Sequence, residues 1–291
     1  MIIDGVMLLW FGLTALSVLF VAIDIRRTPE NPVMKWAFVL FTLYSGPFGA
    51  FLYVLGCREP LPGLHEQYVA ARWRQVLGST MHCVAGDGIG ILVGAVIGTL
   101  VALHLLVEIA LEYVLGFAFG WTIFQALFMR GMARSYGESL RNTFLPELLS
   151  MNCLMGGMIP VMATAFVGNP DAHDPTRPLF WFHMSVSLMA GFVIAFPMNW
   201  WLVANHLKHG MMTVRHPDDP SARAKHGMAM PEGTAMRTGH GGMLTGASHA
   251  PRPPLPVMTA VSFVVLAAGL LIAYLFGDFT PAHYHPGATE P

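Results

Sequence analysis

The sequence predicts an all-α fold, a polytopic membrane bundle of about seven transmembrane helices with a central glycine-rich helix. Two observations carry this prediction. Only 11% of the 291 residues are charged, whereas a soluble globular domain carries about 25%. The mean hydropathy is +0.54, and the apolar residues fall into runs of roughly 17–25, the length that crosses a hydrocarbon core of about 30 Å.

The apolar runs divide the chain into spans and connections. The predicted spans are residues 5–23, 33–55, 79–100, 101–128, 144–167, 179–207 and 257–276. The second span is interrupted by Gly46-Pro47, and the third and fourth follow each other so closely that they must form a helical hairpin. The predicted domains are a six-helix bundle (1–207), a flexible linker (208–256), a seventh helix (257–276) and a tail (277–291).

The distribution of basic residues predicts the orientation, because cytoplasmic loops carry an excess of Lys and Arg. A cytoplasmic N-terminus puts twelve basic residues inside: Arg58, Arg72, Arg74, Arg130, Arg134, Arg141, Lys208, Arg215, Arg223, Lys225, Arg237 and Arg252. Four then lie outside: Arg26, Arg27, Lys35 and Arg177. The prediction is therefore a multi-pass protein of the cell inner membrane, with its N-terminus in the cytoplasm and its C-terminus outside. The first loop alone favours the reverse orientation.

A stripe of small residues runs along the third span. Gly86, Gly90, Gly94 and Gly98 recur at every fourth residue. Such a stripe lets a second helix backbone approach closely, and van der Waals contact then drives association in lipid. The stripe predicts helix packing, with the third span at the centre of the bundle.

Soft metal ligands stand at the head of the same span. Met81, His82 and Cys83 are consecutive, and thioether, imidazole and thiolate together suit Cu(I) best. Further candidate ligands stand at the end of span six, where a continuing helix would put two His on one face. These are His206, His209 and Met211. The alternatives are an inert buried cysteine and interfacial side chains that reach toward headgroups.

Ionisable residues inside span four indicate a second kind of chemistry. His104, Glu108 and Glu112 are four residues apart on one helical face, and such groups in hydrocarbon normally face a cavity or a partner. Asp87 and Glu147 can share that interior. Together these residues predict an intramembrane polar or proton path. The alternative for His104 and Glu108 is a position in the outer interface.

The linker is biased toward residues that bind metals. Between residues 206 and 249 lie six His and six Met, a composition typical of metal-binding tracts. The alternative is a flexible tether that is merely rich in Met.

Several classes of function are excluded by what the sequence lacks. It has no phosphate-binding loop, Rossmann fingerprint or zinc-protease motif, and no nucleophile elbow. Sixteen basic against seventeen acidic residues leave no basic footprint for nucleic acid. The sequence therefore predicts a protein that is not an enzyme and has neither nucleotide nor nucleic acid as a partner.

Three segments resemble a known family of bacterial and archaeal membrane proteins. They are Ser45-Gly46-Pro47-Phe48-Gly49, Met81-His82-Cys83 followed by Gly86 and Gly90, and the run from Phe180-Trp181 through Pro197-Met198-Asn199-Trp200-Trp201 to Lys208-His209. They resemble the domain of unknown function 4396 family, over roughly residues 30–215. The resemblance implies a helical membrane fold and a loose link to copper, without an established activity.

Three functions follow as hypotheses. The first is a copper handler or transporter that passes Cu(I) between the linker and the bundle, with copper as the cofactor and copper proteins among its partners. The second is a non-catalytic accessory subunit of a larger membrane complex. The third is a proton-coupled small-solute transporter that uses Glu108 and Glu112. The lipid bilayer is a partner under all three.

Overall fold

The computed structural model describes residues 2–129, 133–165, 167, 169–211 and 253–277, and these residues form helices joined by short loops, without a strand. The α-helices are α1 (Ile2–Asp24), α2 (Pro32–Ser45), α3 (Pro47–Gly56), α4 (His65–Val69), α5 (Arg72–Leu100), α6 (Leu105–Phe119), α7 (Ala126–Met129), α8 (Tyr136–Thr164), α9 (Pro178–Ala204) and α10 (Leu255–Phe276). A π-helical turn, Gly120–Gln125, joins α6 to α7. The predicted all-α fold is confirmed.

Six helices of the described segments are long and apolar enough to cross a membrane. They are Asp4–Arg27, Arg72–Leu100, Leu106–Met129, Tyr136–Thr164, Pro178–Ala204 and Leu255–Phe276. All of the predicted spans except the second are confirmed, although two begin earlier than predicted. The reason is that the first turns of α5 and α8 are polar, so hydropathy excludes them while the backbone is already helical.

The second predicted span, residues 33–55, is instead a helical hairpin. α2 ends at Ser45, Gly46 takes a φ of +57°, and α3 begins at Pro47. The two ends of the hairpin meet, because the Tyr53 hydroxyl near the end of α3 lies 3.0 Å from the Thr28 hydroxyl, just before α2. The expectation that residues 33–55 form one membrane span, interrupted at Gly46-Pro47, is therefore not confirmed. Glycine tolerates the positive φ that reverses the chain, and proline cannot continue the preceding helix.

The tip of the hairpin reaches the middle of the bundle. A Cβ on Gly46 would lie 2.6 Å from the Thr14 hydroxyl and 3.3 Å from the Trp10 ring, halfway along α1. Tyr44 reaches the Ala85 carbonyl on α5 at 3.5 Å, and Phe41 packs on Phe192 of α9. Because the non-helical backbone is surrounded by protein, it is tolerated at this depth.

Three helices share most of the interior. Over their most apolar stretch, α8 is 67% buried, α5 is 61% buried and α9 is 56% buried, whereas α10 is 11% buried. α5 contacts α2, α3, α6, α8 and α9. The glycine-rich helix is thus an inner helix, and α8 lies equally deep.

All four glycines of the stripe on α5 face α6 or the π-helical turn that follows it. A Cβ on Gly86 would lie 2.7 Å from the Phe124 ring, one on Gly94 would lie 2.8 Å from the Glu112 Cα, and one on Gly98 would lie 2.6 Å from the Glu108 Cγ. A Cβ on Gly90 would collide with the Leu115 carbonyl. The absence of side chains at these positions is what lets the two backbones touch.

The C-terminus of α9 reverses the chain. His206 takes a φ of +57°, the Leu207 amide donates to the Leu202 carbonyl at 3.0 Å, and the His206 amide donates to the Val203 carbonyl at 3.1 Å. This pair of hydrogen bonds is a Schellman motif. The expectation that the helix continues and puts His206 and His209 on one face was therefore wrong, because the helix ends at Ala204.

Candidate functional site

The reversal after α9 sends Lys208 back into the bundle. Its ammonium donates to the Glu147 carboxylate at 3.1 Å and also contacts the Cys83 sulfur. The Cys83 thiol in turn lies 3.1 Å from the same Glu147 oxygen, and the Gln125 amide donates to the Cys83 sulfur at 3.2 Å. We call Lys208, Cys83, Glu147, Gln125 and Asp87 the lysine cluster.

Three neighbouring elements position this cluster. Cys83 and Asp87 stand four residues apart on α5, so both side chains leave the same face. Glu147 follows Pro146 inside α8, and Gln125 closes the π-helical turn. π-helical turns inside helices frequently mark functional sites.

Asp87 lies beside Glu147 in the interior. Both carboxyl groups contact Gly120, where a Cβ would lie 2.7 Å from Glu147 Oε1 and would collide with Asp87 Oδ1. Both residues are fully buried, and neither oxygen of Asp87 has a donor among the described residues. Two adjacent buried carboxyls cannot both ionise, so the arrangement requires one proton that the pair shares.

With that proton, the lysine cluster is electrically neutral, because one ammonium balances one carboxylate. Burial alone would lower the pKa of Lys208, but Cys83 and Glu147 beside it outweigh burial and hold that pKa above its ordinary value. A buried charge of this kind is tolerated only when it is paired. The protonation of the carboxyl pair and the position of Lys208 are therefore linked.

A second polar group lies closer to the C-terminal end of α5. Glu112 is fully buried, and neither of its oxygens has a hydrogen-bond partner in the described part of the chain. A cavity of about 20 Å³ adjoins it, which is room for one water molecule. The cavity is lined by Ala95, Glu108, Glu112, Met162, Ala172, His173, Phe180, His183 and Met184. We call Glu108, Glu112 and His183 the carboxylate cluster.

Two apolar side chains lie between the two clusters along α5, in what we call the apolar layer. It is formed at Gly116, where a Cβ would lie 2.8 Å from both the Ile91 and Met151 side chains. Asp87 and Gly94, which abuts Glu112, are seven residues apart on one helix, or about 10 Å along its axis. A proton cannot cross that distance without water or a conformational change.

The structure gives the predicted copper ligands no support as a set. Cys83 is held by Lys208, Glu147 and Gln125, whereas His82 packs between the rings of Phe124 and Phe128. His206 and His209 are exposed. The buried Met81 belongs to the apolar core, and the buried Met211 packs against Gly78.

The other predicted positions divide as follows. Asp87 and Glu147 lie together, and Glu108 and Glu112 lie together. His104 stands outside this ladder, because it caps the N-terminus of α6 and is exposed. The His and Met residues of the predicted linker that fall in 212–252, and the tail from residue 278, lie outside the described residues.

Sequence reasoning missed two members of the lysine cluster. Lys208 was predicted to be a cytoplasmic basic residue of the linker, with an interfacial side chain as the alternative, and Gln125 was not considered. The available signal for Lys208 was a cation directly after the apolar span predicted over residues 179–207.

A known family model matches the part of the chain that contains both clusters. Residues 72–208 match the model of a family described as domain of unknown function (DUF4396). This match confirms the resemblance predicted from the sequence, and we call residues 72–208 the DUF4396 segment. Comparisons with curated proteins and with solved structures find no match to the chain.

The DUF4396 segment begins at the first residue of α5 and ends at Lys208. It therefore contains the whole lysine cluster and the whole carboxylate cluster. The hairpin of α2 and α3, and with it the predicted Ser45–Gly49 part of the resemblance, precedes the DUF4396 segment.

Proposed function

We propose that this protein is a proton-coupled membrane transporter of a small solute, in which the lysine cluster and the carboxylate cluster are the two proton sites. The observation that carries the proposal is the pair Asp87 and Glu147, buried beside each other and opposite Lys208. Ionisable groups are costly inside a membrane and commonly mark proton relays and substrate paths.

The two clusters suit alternating access. Both are polar; the lysine cluster lies near the middle of α5, the carboxylate cluster lies nearer its C-terminal end, and the Ile91 and Met151 side chains lie between them. A transporter needs such a barrier on at least one side of its site at every moment, because a continuous wet path would dissipate the gradient. The proline residues inside α8 and α9, Pro146, Pro160 and Pro197, are features of the broken helices that line transport sites.

We propose further that the lysine cluster faces the cytoplasm. The hairpin of α2 and α3 returns to the end of the bundle where it began, so it adds no crossing. Among the described residues outside the bundle interior, eight basic residues lie at that end, against Arg177 alone at the other: Arg26, Arg27, Lys35, Arg58, Arg72, Arg74, Arg134 and Arg141. The positive-inside rule then favours both termini outside, in place of the cytoplasmic N-terminus that seven crossings implied.

Copper handling has less support than proton coupling, because the Cys83 sulfur is already held by an ammonium and an amide. A cation such as Cu(I) at Cys83 would have to displace Lys208 and would stand beside its charge. The accessory-subunit hypothesis needs only packing faces, and it gives no reason for carboxyl groups in the interior.

A solute-independent experiment tests the proposal. Liposomes that contain the full chain are adsorbed to a solid-supported membrane and exposed to a pH jump. We expect a transient charge displacement, because protons enter buried carboxyl groups. The variants Asp87→Asn and Glu112→Gln should each lose most of this displacement while they remain folded.

Glu66→Gln is the matched control, since Glu66 is an exposed carboxylate on α4. Its charge displacement should equal that of the wild type. A wild-type signal no larger than that of protein-free liposomes would refute the proposal. Unchanged signals in both interior variants would do the same.

A further inference from the structure

A second cluster of chemically active side chains lies away from both proton sites, at the base of the hairpin. It comprises Glu30, just before α2, Cys57, just after α3, and His65, the first residue of α4. A His65 ring nitrogen lies 2.8 Å from a Glu30 carboxylate oxygen, and the candidate ligand atoms of all three residues lie within 4.8 Å of one another. All three side chains are buried.

The spacing is close to that of a metal site. Zinc binds Cys sulfur at about 2.3 Å and His nitrogen or carboxylate oxygen at about 2.0–2.2 Å. In a tetrahedral site, these bond lengths place neighbouring ligand atoms about 3.3–3.5 Å apart. The observed separations, 2.8 Å between His65 and Glu30 and at most 4.8 Å for the other pairs, therefore differ from that geometry by about 1.5 Å or less.

The donor set discriminates between metals. A thiolate and a carboxylate carry two negative charges and imidazole carries none, so a divalent ion is neutralised. Cu(I) would leave one uncompensated negative charge in a buried site, and it prefers softer ligands than carboxylate oxygen. Calcium and magnesium prefer sites made of oxygen alone.

The hydrogen bond between His65 and Glu30 gives a partner to one His65 ring nitrogen only. The Nδ1 atom of His65 is buried and has no hydrogen-bond partner in the described ranges of the chain. The Cys57 thiol is completely buried beside it. An ion shared with Glu30 would be held by the other ring nitrogen, Nε2, so it would give a partner to the Cys57 sulfur but not to Nδ1.

The geometry points to a zinc site formed by Glu30, Cys57 and His65, with a fourth position for water. The site joins the segment before α2, the end of α3 and α4, so zinc fastens the two ends of the hairpin to each other. On binding, Cys57 gives up its thiol proton to water and forms the zinc–sulfur bond as thiolate. The site is independent of the proposed transport function.

Metal analysis of the full-length protein tests this inference. The chain is purified in detergent through metal-free buffer, and its zinc is measured by mass spectrometry. We expect one zinc ion per chain in the wild type and background zinc in Cys57→Ser. Loss of a ligand should weaken zinc binding by more than about 100-fold, since loss of a supporting partner alone costs up to that factor.

Cys153→Ser is the matched control, because Cys153 is another buried free cysteine, on α8. It should retain the zinc. Cobalt provides a second measurement, since Co²⁺ added to metal-free wild type or Cys153→Ser should give the thiolate charge-transfer and tetrahedral absorption bands, which Cys57→Ser should lack. If Cys57→Ser does not fold, protection of Cys57 from N-ethylmaleimide by added zinc, reversed by a chelator, answers the same question in the wild type.

The inference is overturned if wild-type protein binds neither zinc nor cobalt with thiolate bands. It is also overturned if Cys57→Ser keeps both, or if Cu(I) displaces zinc at equal concentration. Reaction of Cys57 with N-ethylmaleimide at the same rate with and without added zinc would also overturn the inference.

Discussion

The Tyr53 hydroxyl donates a hydrogen bond to the Asp24 carboxylate at 2.8 Å, across 29 residues of sequence that include a complete helical hairpin. Arg58 binds the same carboxylate oxygen at 2.9 Å. The end of α1 and the end of α3 are therefore at the same end of the bundle. The hairpin therefore returns to the end of the bundle from which it began. The direction in which each later helix runs through the bundle depends on this return.

Single-cysteine labelling checks the re-entrant hairpin. In a variant whose three native cysteines are replaced, we expect cysteines at positions 27 and 62 to react with an impermeant maleimide from the same side of oriented vesicles. A cysteine at position 101, in the loop between α5 and α6, should react only from the other side. Labelling of positions 27 and 62 from opposite sides would show a true crossing.

Neutralising Lys208 alone should destabilise the protein more than neutralising both members of its ion pair with Glu147. Lys208→Met leaves a buried carboxylate without its cation, and breaking a buried pair in this way costs about 3–5 kcal/mol. Glu147→Gln in the same chain should recover much of that loss. Fluorescence-detected thermal unfolding in detergent measures the two single variants and the double variant, and additive losses in the double variant would contradict the pairing.

Adding a methyl group where α5 comes closest to α6 should destabilise the fold. Gly90→Ala drives a Cβ into the Leu115 carbonyl, and we expect destabilisation of about 1–3 kcal/mol, as for overpacked cores. Gly12→Ala is the control, since a Cβ there meets nothing within 4 Å. Comparable melting temperatures for these two variants would count against the close approach.

Replacing His206 by glycine should stabilise the protein. A non-glycine residue with φ near +57° carries strain of about 1 kcal/mol, and glycine relieves it at this helix end. We expect the melting temperature to rise by about 2–4 °C. If His206 were instead a metal ligand, the same substitution would reduce metal-dependent stability, so the sign of the change separates the two roles.

Much of the fold could be predicted because it depends on apolar length alone. The hairpin could not, since hydropathy records that residues 33–55 are buried in an apolar environment but not whether the chain crosses it or turns back. Gly46-Pro47 marks where the helix breaks. Only long-range contacts, such as that of Tyr53 with Thr28, show that α3 turns back along α2.

The candidate site was predictable in part for a similar reason. Asp87, Glu112 and Glu147 are conspicuous as charges inside apolar runs, so composition along the helix identifies them. Lys208 enters the interior only because His206 adopts a conformation more typical of glycine or asparagine, which no local pattern indicates. Glu30, Cys57 and His65 come together through the hairpin, so missing the hairpin meant missing them.

Because Lys208 covers Cys83, the reaction rate of this thiol measures how often the surrounding structure opens. A sulfur enclosed by an ammonium, an amide and a carboxylate is shielded from alkylating reagents until the segment after α9 swings away. The rate at which Cys83 reacts would then report how often the interior opens, and any solute that slows or speeds this rate would reveal itself as a ligand before its chemical identity is known.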